Sequence, residues 1–280
     1  MTNSAGLLDG VRLKVALLLA LPFLVVGPLA SSARAQLFAV DSSRALYVLD
    51  INTGARTLIG TVSANAGTAA GLAYDSVHNI VYLTSSSNDS LYSLDLATGA
   101  ASLIGSYGPD PAIVMHGLEY DDSTGILYGV SSHNNGLYNI NPTTGFATLL
   151  GTSNLTSFTN LGYNSTTNQM FATNSGTDSF YSMDRATGAV TLIGPLNGPT
   201  NPNGLAYNRD NQMMYMVDNN TDSLYTINLG TGAATLIGTI GTGNPVYVGL
   251  AAVPEPNCLL SAGAALLLAR RRRSSSASEF

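Results

Sequence analysis

The sequence predicts an all-β fold: a five-bladed β-propeller with four antiparallel strands per blade, closed into a ring by its own C-terminal strand. Three observations predict it. A phrase of the form Leu-Tyr-x-Ile-Asp-x-x-Thr-Gly-x-x-Thr-Leu-Ile-Gly recurs five times, with its Thr-Gly glycines at 54, 99, 145, 188 and 232. The resulting spacings of 45, 46, 43 and 44 residues, with strand-like content, are those of a propeller array. The array also begins and ends with complementary fragments of one unit.

Taken in chain order, residues 1–35 read as a secretory signal peptide. Arg12 and Lys14 give a positive start, Val15–Ala30 is apolar, and Ala33-Arg-Ala35 is a small-x-small cleavage site, so the mature chain is expected to start at Gln36. Helical or apolar segments are expected only here and in the C-terminal tail. Residues 36–253 are the propeller. Each unit opens with a hairpin such as Gly71-Leu-Ala-Tyr-Asp75 and Ile80-Val-Tyr-Leu-Thr84. The repeated phrase is the second hairpin: Tyr92 and Leu94 alternate as a strand does, and Thr-Leu-Ile-Gly returns. Between the two halves stand Asp50, Asp95, Asn141, Asp184 and Asn228, each followed four residues later by Gly. An Asx side chain holds such a turn, and Gly accepts positive φ. No stretch with a period of 3.6 lies between the copies, which excludes a strand–helix solenoid.

The first phrase is preceded only by Leu37-Phe-Ala-Val-Asp41, which matches a second strand. The last is followed by residues 246–253, which match a first strand. Circular closure joins the two into one blade and removes the exposed sheet edges. The tyrosines at 47, 92, 138, 181 and 225 recur once per blade and read as inter-blade packing.

Composition excludes several function classes. Residues 36–256 hold four arginines, no lysine and 15 acidic residues, a formal charge of −11. Phosphate contact needs clustered cations, so nucleic acid is not an expected partner. The one cysteine, Cys258, lies in the tail, so no internal disulfide forms.

Aligning the copies gives two polar rings on one face. The residue opening each first strand is Ala70, His116, Thr159, Asn203 or Val248, and His116 and Asn203 are the polar pair suited to a ligand. The residue ending each second strand is Asp41, Ser85, Ser131, Asn174 or Asp218. These oxygens, with Asp41 and Asp218 as weak metal candidates, could receive a hard cation such as Ca²⁺; no cofactor is otherwise expected. Asp218-Asn-Asn-Thr-Asp222 has calcium-loop oxygens but lacks the central Gly and distal Glu, and reads as a turn. Loops 106–116 and 195–203 are the longest on this face, with Tyr107, Pro109, Asp110 and Pro111 as contacts. No zinc spacing, nucleophile elbow or phosphate loop is present, so no catalytic residue is assigned.

The last segment, 254–280, follows an order of parts. Pro254-Glu255-Pro256 is followed by an apolar run, Leu259–Ala269, and then by Arg270, Arg271, Arg272 and Arg273. The run is about half of the roughly 20 residues that a spanning helix needs, and the arginines stay cytoplasmic. This order resembles the PEP-CTERM sorting signal. Asn257 stands where that family often has Ser or Thr. The resemblance implies export from a Gram-negative-type bacterium, transient inner-membrane contact, processing by an exosortase-type enzyme, and delivery to the cell surface or an exopolysaccharide matrix. The body resembles secreted bacterial propellers of uncharacterised function. The expectation is a surface binding or structural module, with an extracellular polysaccharide or another surface protein as partner. The alternative is a metal-dependent lactonase- or esterase-type hydrolase in the channel.

Overall fold

The computed structural model describes residues 35–110, 113–241, 243 and 246–254. The signal peptide through residue 34, Pro111 and the tail from Glu255 on, including the four arginines, lie outside the described residues. Strands β1 (Gln36–Asp41), β2 (Ala45–Leu49) and β3 (Arg56–Thr61) begin the first blade. The second is β4 (Ala69–Asp75), β5 (Ile80–Ser85), β6 (Ser90–Leu94) and β7 (Ala101–Ser106). The third is β8 (Met115–Asp121), β9 (Ile126–Ser131), β10 (Gly136–Ile140) and β11 (Ala147–Thr152). The fourth is β12 (Gly162–Asn164), β13 (Gln169–Asn174), β14 (Ser179–Met183) and β15 (Val190–Pro195). The fifth is β16 (Pro202–Asn208), β17 (Met213–Asp218), β18 (Ser223–Ile227) and β19 (Ala234–Thr239).

The last strand, β20 (Tyr247–Val253), returns to the first blade and gives the sheet order β20-β1-β2-β3. It pairs antiparallel with β1, Leu37 facing Ala252 and Ala39 facing Leu250. Asn219 fixes it to the fifth blade: its amide donates to the Tyr247 carbonyl and accepts from the Tyr247 N–H, both at 2.9 Å. The innermost strands β20, β4, β8, β12 and β16 pack against one another in that order, and β16 packs on β20 again. The fold is therefore the five-bladed propeller expected. One 3₁₀ turn, Ala64–Ala66, between the first two blades departs from the expectation that helix is confined to the termini.

The repeated phrase does the local work. Asp50, Asp95, Asn141, Asp184 and Asn228 each accept the N–H groups two and three residues on through Oδ1, at 2.8–3.1 Å. The closing glycine has no room for a side chain. Gly145 has φ 78°, and a Cβ there would stand 2.3 Å from the Gly105 carbonyl oxygen of the preceding blade. The phrase's two glycines thus meet across a blade interface, which is why both recur. Each outermost strand carries a bulge at its Leu-Ile pair, which blunts an edge that would otherwise template pairing.

The fourth blade is irregular. The inner strand expected from Asn160 shortens to three residues. Asn160 stands where the other four copies have Gly, and its buried carboxamide replaces ladder bonds. It accepts the Thr173 N–H at 2.9 Å and hydroxyl at 2.7 Å and donates to the Pro202 carbonyl at 3.3 Å.

Candidate functional site

The two polar rings of the ligand face hold their own loops. A bulge opens the inner strands β4, β8, β16 and β20, and in β8 it leaves His116 as the extra residue. Its Nδ1 lies 2.8 Å from the Ser132 hydroxyl of the same blade. Burial holds the imidazole below its ordinary pKa, against the opposing pull of the Val114 backbone, so it is neutral at pH 7. Asn203 donates to the Asn201 carbonyl at 3.2 Å and side-chain oxygen at 3.0 Å, and accepts from Thr159 at 3.4 Å. The structure thus joins Thr159 to Asn203, while His116 turns to Ser132.

The second ring faces inward. Asp41, Ser85, Ser131, Asn174 and Asp218 are all at most 4% exposed. Asp218 accepts Asn201 N–H at 2.7 Å and the Thr221 N–H and hydroxyl at 2.9 Å. Asp41 accepts the Ala45 N–H at 2.8 Å and the Tyr47 hydroxyl at 3.3 Å. Asn174 accepts from Gly176 and Thr177 and donates to Thr156. Ser85 accepts from Asn88, and Ser131 from Val114. Asp41, Ser85, Asn174 and Asp218 satisfy the turn that leaves their own strand, and Ser131 accepts from the segment entering β8, so the ring expected to face a ligand or cation instead serves backbone N–H groups. Among the described residues no three His, Cys, Asp or Glu side chains group as a metal site. Tyr107, expected as a loop contact, is 1% exposed and donates to the Ser90 carbonyl at 2.8 Å. The once-per-blade tyrosines reach the turn after the second strand: Tyr138 accepts from Asn134, and Tyr225 donates to Thr221.

The opposite end of the channel holds a polar constellation that the sequence reading did not assign. Glu119 on β8 lines a cavity of about 40 Å³ with Leu72, Ala73, Tyr163, Ala206 and Leu250, contributed by several inner strands. That volume admits two or three waters. Its Oε1 accepts the Tyr120 N–H and its Oε2 the Tyr163 N–H of the next blade, both at 3.1 Å. Burial pushes its carboxyl up to about 8. The two N–H groups and Arg209 pull the other way, and Asp122 adds to the rise. Burial dominates although Ser76, Arg209 and Asp210 line the same cavity beside Leu72, Ala73, Ala206 and Leu250.

Across this mouth Arg209, from the fifth blade, pairs with Asp122 of the third and donates to the Ser76 hydroxyl of the second at 2.9 Å. Ser76 also donates to Asp122 at 2.8 Å. Beside it Asp210 accepts the Ala35 N–H at 2.7 Å. The sequence did carry a signal for Glu119. The third residue of the inner-strand motif is Ala73, Gly162, Ala206 or Ala251 in the other four copies.

No protein-family profile matches this chain, and no curated protein matches it. Solved structures do. A chain of the nidogen/laminin complex is similar at 17% identity and TM-score 0.54, over 79% of this chain and 86% of that one. A structural-genomics protein of unknown function from Bacteroides thetaiotaomicron is similar at 17% identity and TM-score 0.54, over 82% and 63%. A symmetrical protein from a study of de novo evolutionary emergence is similar at 20% identity and TM-score 0.53, over 79% and 100%. At these identities the likeness is one of fold: the chain is a β-propeller repeat protein.

Proposed function

We propose that this propeller is an exported binding or structural module. Its tail is a sorting signal that delivers it to the cell surface or extracellular matrix of a Gram-negative-type bacterium, where it meets an extracellular polysaccharide or another surface protein. The observation that carries the reading is where the fold ends. β20 closes the ring at Val253, and Pro254, the first residue of the Pro-Glu-Pro motif, is exposed directly beyond it. A processing enzyme acting at the motif meets a chain that has left the sheet, so cleavage leaves all 20 strands intact. The scaffold fits this role, because the repeated residues are spent on turns and blade contacts while the loops between blades vary.

The test is expression in a host with an exosortase-type enzyme, followed by intact-mass analysis of the surface-located protein. The expected mass is that of a chain cut near Pro254–Pro256, with cleavage lost on replacing Pro254, Glu255 and Pro256 by Ala. A surface protein that keeps its arginines, or an Ala variant processed at the wild-type rate, would sink the proposal. A glycan array probed with the processed protein then separates a polysaccharide partner from a protein one.

A further inference from the structure

The blade-1/blade-2 interface differs from the other four. At those four the outer-strand glycine of one blade seats against the Thr-Gly turn of the next: Gly105 on Thr144–Gly145, Gly151 on Thr187–Gly188, Gly194 on Thr231–Gly232 and Gly238 on Thr53–Gly54. At the fifth, Gly60 has open space around it and Gly99 meets the Thr61 carbonyl instead, a slip of one residue. Beside this slip lies a groove of about 890 Å³, within the size range of ligand pockets. Its walls include Phe38, Val48, Ile59, Ile80, Leu94 and Leu96.

The cause is the closure itself. At three of the other four interfaces the turn leaving the inner strand of one blade reaches the inner-strand tyrosine of the next; at the fourth, between the fifth blade and the first, Ala252 stands in the tyrosine's place. Asp75 faces the Tyr120 hydroxyl, Ser123 lies 3.2 Å from that of Tyr163, and Thr166 lies 3.4 Å from that of Tyr207. The first blade has no such turn, because its inner strand β20 is the last strand of the propeller and its second strand β1 is the first. Tyr74 keeps the bond to Asn79 of its own loop, at 2.9 Å, that Tyr163 makes to Asn168, without the turn from the preceding blade that Tyr163 also meets. The groove stands where a turn is missing, and Val253 and Pro254 form its inner end.

We propose that the chain's own C-terminal segment, Glu255–Leu260, docks in this groove in place of the missing turn, with Leu259 and Leu260 as its apolar anchors. The lengths agree. The groove runs from inner-strand residues, Tyr74 and Val253, to the outermost-strand residues Ile59 and Ser102. Three strand spacings make that about 14 Å. Five residues of extended chain beyond Pro254 reach about 17 Å, which brings Leu259 to the outer wall. The N-terminal side is led elsewhere, because Asp210 holds the Ala35 N–H at the channel mouth. Docking keeps the start of an apolar run out of water at the point where it leaves the fold.

The chain has no tryptophan, so Leu260→Trp in the full chain is a sole reporter. The expected result is blue-shifted emission, shielded from acrylamide and independent of protein concentration, that reverts to solvent-like emission when Val48→Asp is added. Solvent-like emission in the single variant, or a shift that grows with concentration, would overturn the proposal. A second measurement stands if Val48→Asp fails to fold. Cys258 should form a disulfide with Ser93→Cys in the groove at least tenfold faster than when Leu259→Gln and Leu260→Gln remove the anchors. Equal rates would mean that the tether alone brings the thiols together, and the docking would be refuted.

Discussion

Replacing Glu119 by Gln tests the channel electrostatics. The carboxyl is raised from 4.5 to about 8, chiefly by burial. At 1.36 kcal/mol per pH unit the gap corresponds to about 5 kcal/mol. Water in the cavity screens part of it, so about 2–3 kcal/mol is the working figure. The folded value lies above the unfolded one, so this contribution is fully present below pH 4.5 and is lost as pH rises toward 8. The wild-type protein should therefore lose about 2–3 kcal/mol between pH 4.5 and pH 8 through this residue. Gln does not titrate. It also replaces one of two acceptors by an NH₂ that faces the Tyr120 or Tyr163 N–H, a cost of about 1 kcal/mol at every pH. The two stability curves should cross: wild type is the more stable at pH 4.5, and the Gln variant at pH 8.5. Urea unfolding at half-unit steps between those values measures the difference. In melting temperature the change is about 4–12 °C for a domain of this size. A difference between the two proteins that stays constant with pH would refute the reasoning, because it would place the carboxylate in water rather than in a buried cavity.

Three further outcomes are expected. Gly145→Ala, at φ 78° and 2.3 Å from the Gly105 carbonyl oxygen, should cost about 2–4 kcal/mol in urea unfolding, whereas Gly60→Ala, with open space around it, should stay within about 0.5 kcal/mol of wild type; equal costs would deny that the glycine pair sets the blade spacing. Truncation after Val246 removes β20 and leaves β1 and the β4–β16 neighbours exposed. That protein should lose its cooperative melt and aggregate on size exclusion, and a folded monomer would show that closure is dispensable. Asp218→Ala strands the Asn201 and Thr221 N–H groups and should cost about 2–3 kcal/mol, with Asp218→Asn recovering part of it; if Ala and Asn variants melt like wild type, the carboxylate is not holding its turn.

The fold was legible because the signals that recur are the ones the propeller uses five times. The Asx-to-Gly spacing of Asp95 and Gly99 is the turn, and Leu37–Asp41 with residues 246–253 are visibly two parts of one unit. The site was less legible for two different reasons. Asp41, Asn174 and Asp218 were placed correctly at strand ends, but position along a strand does not say whether a carboxylate faces a ligand or the N–H groups of its own turn. In this chain the turn takes them, since a buried N–H without an acceptor is costly. Glu119 was hidden by the opposite fault. Aligning copies draws attention to what they share, and Glu119 is the single residue that breaks a run of Ala and Gly.

The same logic explains why the chain's asymmetry gathers at two places. A ring of five like blades has no preferred interface until the chain must begin and end somewhere. Closing the first blade with β20 removes one turn, and the groove between blades 1 and 2 follows from that removal rather than from any change in the repeat. The channel mouth beside it is where Arg209, Asp122 and Glu119 depart from their counterparts in other blades. Ala35 and Pro254 both line that mouth, so the propeller's first and last strands flank the most polar part of the channel. Circular closure therefore fixes the ring and, in the same step, sets where the chain differs from its own repeat. Substitutions along the phrase should change stability and leave partner binding alone, while substitutions at the mouth and groove should change what the tail and the channel do with little effect on the other four blades.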